Sequence, residues 1–362
     1  ENIPKQLVKG VPVKLLITTR DSKGKQIIPH QDVWVKTKTP GASWENIDIT
    51  YNNNGTYHVM ITGKTEGKQQ VAMTIGNQHI PGSPFHIPVI IGLVQTVGNA
   101  GSEGQFSNPW GITINKHGDF VTADRGNNRV TMHDRDGNYK QSFTFTGQFA
   151  ETFRPCDVAI SDDNEYFMTD DNNKQVVVSD EYGKLIRKLI RKFGSSEIDD
   201  PCGIAINPVT KNVYVSEYSK DCIRKYTQGG VFIKSFGKSG DRQGEFDTPY
   251  LLAINSKGMV YVSGWYNHRI QVLNSDDQFM FEFFSTGVSR MSYPTGVAVD
   301  KNDYVYVSSE HKVTKHDSNG QFIFRIDSDK DGLSRPRGVA VCNDGRIAVV
   351  DCDNKCIKVF VE

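Results

Sequence analysis

Short runs of alternating apolar and polar residues fill the chain, separated by clusters of Gly, Asn, Asp and Pro. Runs of this period and length predict β-strands. From residue 109 onward one apolar phrase recurs at intervals of 42 to 48 residues, as PWGITI, PCDVAI, PCGIAI, PYLLAI, PTGVAV and PRGVAV. Each copy continues with a polar turn and further strand-like runs. A strand-rich repeat of this length is typical of a propeller blade, so the sequence predicts six four-stranded blades.

The sixth copy is incomplete, because the chain stops at residue 362 after its third strand-like run. The segment LVQTVG, residues 93–98, precedes the first copy and has the pattern of an outer strand. An unclosed propeller would expose strand edges with unpaired backbone groups. We therefore predict a propeller spanning residues 92–362, in which residues 93–98 close the last blade.

The first 91 residues contain no copy of the repeat and read as seven short strands, which predicts a β-sandwich domain. The run QDVWVKTKT is a candidate edge strand that could accept a strand from a partner. The alternative is that this domain serves only as a spacer.

Two sets of motifs resemble known repeats. The phrase NNNGTYHVMITGKTEGKQQVAMTIGNQHIPGSPFHIPV closely resembles a filamin-type immunoglobulin repeat, including a turn and tyrosine corner at residues 54–57 and a final-strand motif at 82–85. The strings ADRGNNRV, TDDNNKQV, SGWYNHRI and VDCDNKCI resemble NHL repeats. The fifth copy departs from them, because SSEHKVTKH lacks the Asn turn. The expected fold is thus all-β, a filamin-type immunoglobulin-like β-sandwich followed by a six-bladed NHL β-propeller.

A filamin repeat followed by NHL repeats resembles the C-terminal region of a tripartite-motif (TRIM-NHL) protein. The resemblance implies a parent with RING, B-box and coiled-coil modules, hence a RING-type E3 ubiquitin-protein ligase that oligomerises through the coiled coil. Zinc is then expected only in the RING and B-box, and no cofactor in the chain itself. The resemblance also implies recognition of a protein substrate or adaptor, or of structured RNA, by a fragment that is itself monomeric and non-catalytic.

Composition limits the kinds of ligand and the cellular compartment that we expect for the chain. The chain has 42 Lys plus Arg and 42 Asp plus Glu, so its formal charge of zero provides no overall attraction to polyanions. It has no apolar run of about 20 residues, which excludes membrane insertion by a helix. Its six cysteines form no CxxC pair, as expected for buried thiols in a cytoplasmic protein. The first residue is Glu1, which suggests a piece of a longer chain.

An enzymatic propeller would bring metal ligands or acids together in its central channel. The nine histidines occupy no recurrent position, and we predict no metal site. Recurrent acids end the second strand of four copies, at Asp124, Asp170, Glu217 and Asp351. They could bind a cation as a ring, or accept hydrogen bonds from turn amides within each blade, which is the reading we favour. A metal-dependent propeller enzyme is the weaker alternative.

The turn before each proline and the turn after the second strand are expected on one face, where loops are free to bind a partner. The predicted binding residues are Trp110, Arg125, Asn127, Arg154, Tyr218, Tyr250, Trp265, Tyr266, His268, Arg335, Arg337 and Lys355. Arginines among aromatics suit RNA bases and phosphates, and equally a protein hot spot. The basic residues cluster in blades six, one and two, whereas acids including Asp171 and Glu217 cluster in blades two to four. This predicted split of charge favours a protein partner over RNA.

A second basic feature lies in KLIRKLIRKFG, where LIRK is written twice. Either a long bulged outer strand or a short amphipathic turn would place four cations on one edge of blade two. This secondary basic edge comprises Arg187, Lys188, Arg191 and Lys192.

Overall fold

The computed structural model describes residues 7–9, 12–20, 23–27, 32–52, 54–65, 67–98, 104–145, 152–189, 198–284 and 290–362. The chain divides into two compact units, Glu1–Val94 with Val361–Glu362, and Gln95–Phe360. The described residues are almost entirely β, as the sequence predicted. No helix among those residues is long and apolar enough to cross a membrane.

The first unit is a β-sandwich of two sheets. One sheet has the strand order β1-β9-β7-β3-β4, with β8 paired to β7, and the other has the order β2-β6-β5. Alternate residues of the strands point inward and form a core that includes Leu15, Val35 and Ile61. The strands are β1 Leu7–Val8, β2 Pro12–Thr18, β3 Val33–Lys38, β4 Glu45–Ile47, β5 Ile49–Tyr51, β6 Thr56–Thr62, β7 Gly67–Ile75, β8 Gln78–His79 and β9 Phe85–Ile90.

Two sequence expectations for this unit were wrong in detail. The described residues form nine strands rather than seven, because four of them are only two or three residues long and carry too few positions to show alternation. The run QDVWVKTKT forms β3, which lies between β7 and β4 and is therefore not an edge strand. Within this run Trp34 is exposed, because its side chain lies on the solvent face of an interior strand.

Six four-stranded antiparallel sheets form the second unit, and we number these blades one to six in the order of their prolines. The inner strands of neighbouring blades contact one another in sequence, and β11 contacts β31, so the six inner strands close a ring. Blades one to three are β11 Pro109–Ile114, β12 Phe120–Asp124, β13 Arg129–His133, β14 Tyr139–Phe143; β15 Pro155–Ile160, β16 Tyr166–Asp170, β17 Gln175–Ser179, β18 Leu185–Leu189; and β19 Pro201–Ile206, β20 Val213–Glu217, β21 Cys222–Tyr226, β22 Phe232–Phe236.

The remaining blades follow the same plan with one exchange of strands. Blades four to six are β23 Pro249–Ile254, β24 Val260–Gly264, β25 Arg269–Leu273, β26 Phe279–Phe283; β27 Pro294–Val299, β28 Val305–Ser309, β29 Lys312–His316, β30 Phe322–Arg325; and β31 Pro336–Val341, β32 Ile347–Asp351, β33 Cys356–Val361. The fourth strand of blade six is β10 Gly92–Val97, which pairs with β33. Strands from the two ends of the repeat region thus share one sheet.

Every inner strand begins with a β-bulge. Pro109 pairs with Asp124 and Ile112 with Thr122, so two residues of β11 oppose one of β12, and the same register shift recurs in blades two, three, four and six. A bulge re-aims the side chains beside it. Here it brings the residue after the proline to the centre of the ring, where Trp110, Cys156 and Cys202 share one buried cluster.

Candidate functional site

We call the surface formed by the segment before each of the six prolines and by the turn between the second and third strand of each blade the proline face. Backbone hydrogen bonds fix these two loops to each other. Tyr218 N donates to Asp200 O over 3.3 Å, and Trp265 N donates to Thr248 O over 3.1 Å. These hydrogen bonds restrain the loops, so the proline face is a preformed surface and not a set of independent loops.

The recurrent acids lie beneath this face and hold it together. Asp124, Asp170 and Asp351 accept hydrogen bonds from the backbone amides of Ser107, Arg154 and Ser334, over 2.7, 3.1 and 2.9 Å. Glu217 accepts one in the same way from the amide of Asp199, over 3.0 Å. All four carboxylates are fully buried. They link turns within each blade, and no cluster of three or more possible metal ligands occurs among the described residues.

An aromatic band runs across the proline face. Trp110 of blade one and Tyr250 of blade four belong to opposite blades, and their rings meet over the axis with centroids 5.6 Å apart. From Tyr250 the band continues to Tyr218 at 6.2 Å and to Trp265 at 5.5 Å. Trp265 then contacts the remaining members, Tyr266 at 4.6 Å and Tyr293 at 5.5 Å.

Burial differs along the band. Trp110 is only 8% exposed, whereas Tyr266 is 53% exposed. Trp110 therefore belongs to the buried cluster beneath the face, whereas Tyr266 offers its ring directly to solvent. Burial raises the pKa of the Tyr218 hydroxyl to about 12, so it stays a neutral donor at every physiological pH.

Two guanidinium groups lie close to the Trp110 ring. The carbon of the Arg337 guanidinium lies 3.9 Å from the Trp110 ring centroid, and that of Arg125 lies 4.5 Å from it. At these distances each arginine gains a cation–π contribution from the ring. The two differ in charge pairing, because Arg125 forms an ion pair with Asp171 at 2.6 Å, whereas Arg337 has no carboxylate partner among the residues described.

Most of the other predicted cations are compensated. Asp171 also accepts from Arg154 Nε over 2.5 Å, and Arg335 Nε donates to Asp353 over 2.7 Å. Asp171 is 4% exposed and Glu217 is fully buried. The predicted division of charge on the face is therefore less marked than the sequence indicated, because these two acids lie below the surface and pair with arginines, whereas the other predicted acids of blades two to four are partly exposed.

The remaining predicted site residues occupy the turns. The Asn127 amide donates within blade one to Asp124 Oδ2 over 2.8 Å and to Gln105 O over 3.1 Å, which gives it a structural role. His268 Nδ1 accepts from Tyr293 N over 3.0 Å, and its ring packs against the Tyr293 ring. Lys355 is exposed at a left-handed position with φ of 55°.

The secondary basic edge is described only in part. Arg187 forms two hydrogen bonds with the Glu165 carboxylate, at 2.7 and 2.5 Å, so its charge is paired. The backbone of Lys188 belongs to β18, and Arg191 and Lys192 lie outside the described residues. β18 carries a bulge, but blades one, three and four carry one at the same place, so this bulge does not come from the repeated LIRK.

One part of the proline face was missed. Tyr293 and Thr295 of blade five line a small cavity together with Trp265 and Arg337. The available signal was an aromatic residue directly before the fifth proline, next to the copy with a shortened turn.

Comparisons with known proteins agree with the fold. The model of the filamin/ABP280 repeat matches residues 1–86, and the model of the NHL repeat matches residues 106–131 and 333–360. Streptogramin B lyase has a similar structure, with a TM-score of 0.54 over 74% of this chain and 97% of the lyase, at 12% identity. At that identity the likeness concerns the fold alone. The class of protein is thus an all-β chain with a filamin-type sandwich and an NHL propeller.

Two curated relatives are similar to part of the chain. The chain is 33% identical over 137 residues to the protein brain tumor of Drosophila melanogaster, covering 36% of the chain and 13% of that protein. It is 30% identical over 145 residues to the E3 ubiquitin-protein ligase TRIM71 of Rattus norvegicus, covering 37% of the chain and 17% of that protein. The resemblance to the filamin–NHL region of TRIM-NHL proteins is confirmed. The aligned segments span less than a fifth of either relative.

Proposed function

We propose that this chain is the recognition region of a TRIM-NHL type E3 ubiquitin ligase and binds protein substrates or adaptors through the proline face. The ligase activity would belong to a RING module of the parent protein. A relative named as an E3 ubiquitin-protein ligase supports the parent activity, although the alignment covers only 17% of it. On this proposal the chain itself contributes binding and no catalytic group.

The observation that carries the proposal is the aromatic band set among paired charges. Tyrosine, tryptophan and arginine are the residues enriched in the hot spots of protein interfaces. Tyr266 and Trp265 offer large rings whose neighbours already hold them in place, so little side-chain entropy is lost on binding. Because Asp171 and Asp353 offset two of the three positive charges of the arginines they pair with, the face suits a partner of mixed polarity better than a polyanion.

A structured RNA is the second candidate ligand. It is favoured by the same exposed rings, on which bases can stack, and by the uncompensated Arg337 beside them. The two candidates differ in what they need from electrostatics, since RNA affinity depends mainly on phosphate contacts.

The experiment compares proteins retained from ribonuclease-treated cell extract by the wild-type chain and by a Tyr266→Ala, Trp265→Ala variant, with quantification by mass spectrometry. We expect a defined set of proteins to fall at least fivefold with the variant. Lys301→Ala is the matched control, because Lys301 is exposed in the turn between the first and second strands of blade five, away from the proline face. Equal retention by all three chains would contradict the proposal, and ribonuclease-sensitive retention would favour RNA.

A further inference from the structure

Blade five has a shorter turn on the proline face than the other blades. Between the second and third strands, blades one, two, three, four and six have four residues, whereas blade five has only Glu310 and His311 between β28 and β29. In the other blades the longer turn folds back over the segment before the proline, as in the bond from Asp353 N to Ser334 O at 3.2 Å. The shortened turn leaves the same space uncovered in blade five.

A cavity of about 200 Å³ occupies this space, and we call it the blade-five pocket. Its lining includes Trp265, Tyr293, Thr295, Glu310, Pro336 and Arg337. It is smaller than the roughly 300–1,000 Å³ typical of small-molecule sites, and its walls are mainly apolar. The pocket therefore has the size and character to receive one large side chain.

The walls are preorganised. Trp265 and Tyr293 contact each other with centroids 5.5 Å apart, and the backbone of Tyr293 is fixed by its hydrogen bond to His268. Thr295 is buried at the base. A partner side chain entering here would bury apolar area against rings that need no further ordering.

The charged residues around the pocket indicate which group of the partner can lie beside the apolar side chain that enters it. The Arg337 guanidinium is held against Trp110, and its Nε is buried without a hydrogen-bond partner in the described structure. Arg337 lines the pocket and has no carboxylate partner among the described residues, so a ligand carboxylate that reaches the outer nitrogens of its guanidinium would gain a charge-assisted hydrogen bond. Glu310 lies exposed at the rim, where solvent weakens its opposing effect. Arg335 also lines the pocket, but Asp353 already neutralises it.

We propose that the blade-five pocket binds a large apolar or aromatic side chain of a protein partner, with a carboxylate of the same partner segment on Arg337. The inference rests on the proposed function, because it specifies which residues of a protein partner the proline face recognises. The recognised element is a short acidic segment with one bulky apolar anchor, in contrast to a basic or purely polar segment.

The test is selection of a random twelve-residue peptide library, displayed on phage, against the 362-residue chain, followed by fluorescence anisotropy with the synthetic peptides that are enriched. We expect enriched peptides to share an aromatic or large aliphatic residue within two positions of Asp or Glu. Replacing the anchor by Ala, or the acidic residue by its amide, should weaken binding at least tenfold.

Three protein variants assign the peptide to the pocket. Replacing Glu310 and His311 by the four-residue turn of blade two, residues 171–174, should fill the pocket and weaken binding at least tenfold. Arg337→Gln should do the same while keeping the pocket open, which guards against a misfolded turn variant. Lys301→Gln is the matched control and should change affinity less than twofold, because Lys301 is exposed in the turn between β27 and β28, away from the proline face and outside the pocket lining.

Several outcomes would overturn the proposal. Peptides that bind equally well to the filled-turn variant would refute the pocket but leave protein recognition by the proline face intact. Enrichment of Lys or Arg beside the anchor would show that Glu310 rather than Arg337 governs the site. If only single-stranded RNA hexamers bound, and the filled turn abolished their binding, the pocket would be a base site. Absence of any enriched peptide would count against both this proposal and protein recognition.

Discussion

At the axis of the propeller, blade two has an aspartate at a position where most blades have glycine. The second residue after the proline is Gly in blades one, three, five and six, because neighbouring inner strands approach closely there: a Cβ at Gly338 would lie 2.7 Å from Trp110 O. In blade two this residue is Asp157, which is buried and accepts from Ile204 N over 3.0 Å. Burial raises the pKa of Asp157 to about 7, since the charged form loses its hydration.

This raised pKa predicts how stability depends on pH. Between the ordinary Asp value of 3.8 and about 7, the folded state holds a proton that the unfolded state has lost, so the free energy of unfolding falls as the pH rises through this range. Asp157→Asn should remove the effect and stabilise the chain at pH 8 by up to about 4 kcal/mol. Urea denaturation from pH 5 to pH 8.5 measures this difference.

The control for Asp157→Asn is Asp136→Asn, an exposed position in a turn of blade one, which should shift stability equally at all pH values. If the gain from Asp157→Asn were the same at pH 5 and pH 8, Asp157 would be ionised throughout and the argument from burial would fail.

At the scale of elements, the sequence predicted strands and their grouping more accurately than the positions of side chains. Alternation and the recurrent proline phrase identify the four strands of a blade because each strand has one face in an apolar layer between blades. The inner bulge cannot be seen in the alternation, and it is this bulge that brings Trp110 and Tyr250 together across the axis. Pairing of arginines with Asp171 and Asp353 joins residues 17 to 46 positions apart, a distance at which local patterns carry no information.

The pairing of β10 with β33 predicts that the first strand of the repeat region supports the last blade. Val97 is 1% exposed and lies at the C-terminal end of β10, whereas its neighbour Thr96 is exposed. Val97→Asp would place an unpaired charge among apolar groups, at a cost of about 3 kcal/mol or more, which should lower the propeller's Tm by roughly 6–12 °C.

Thermal unfolding followed by circular dichroism measures the effect of Val97→Asp, and Thr96→Asp serves as the matched control with an expected change of less than about 2 °C. A Tm unaffected by Val97→Asp would mean that β10 lies outside the cooperative unit and that blade six is stable with three strands.

At the scale of the whole molecule, the balance of charge limits which ligands can bind tightly. The formal charge of the chain is zero. Most arginines of the proline face form ion pairs that hold loops of the propeller together. A surface of this kind is specific through shape and hydrogen bonding, and it provides little long-range attraction. This molecule-wide pairing was invisible in the sequence, where counting Arg125, Arg154 and Arg335 as free cations overstated the basic character of the face.

RNA binding by the chain should consequently be weak and only mildly dependent on salt. Arg337 and Lys355 are the predicted cations of the proline face without a carboxylate partner among the described residues, which gives about two phosphate contacts and a slope of log affinity against log salt of about −1.4 to −1.8. Fluorescence anisotropy with a labelled RNA hairpin between 50 and 300 mM KCl measures the slope, and Arg337→Gln should make it shallower by about 0.7 to 0.9. A slope steeper than about −4 would require a larger basic surface than the proline face offers. Such a result would favour structured RNA over a protein partner as the ligand, because only a polyanion could release so many counterions on binding.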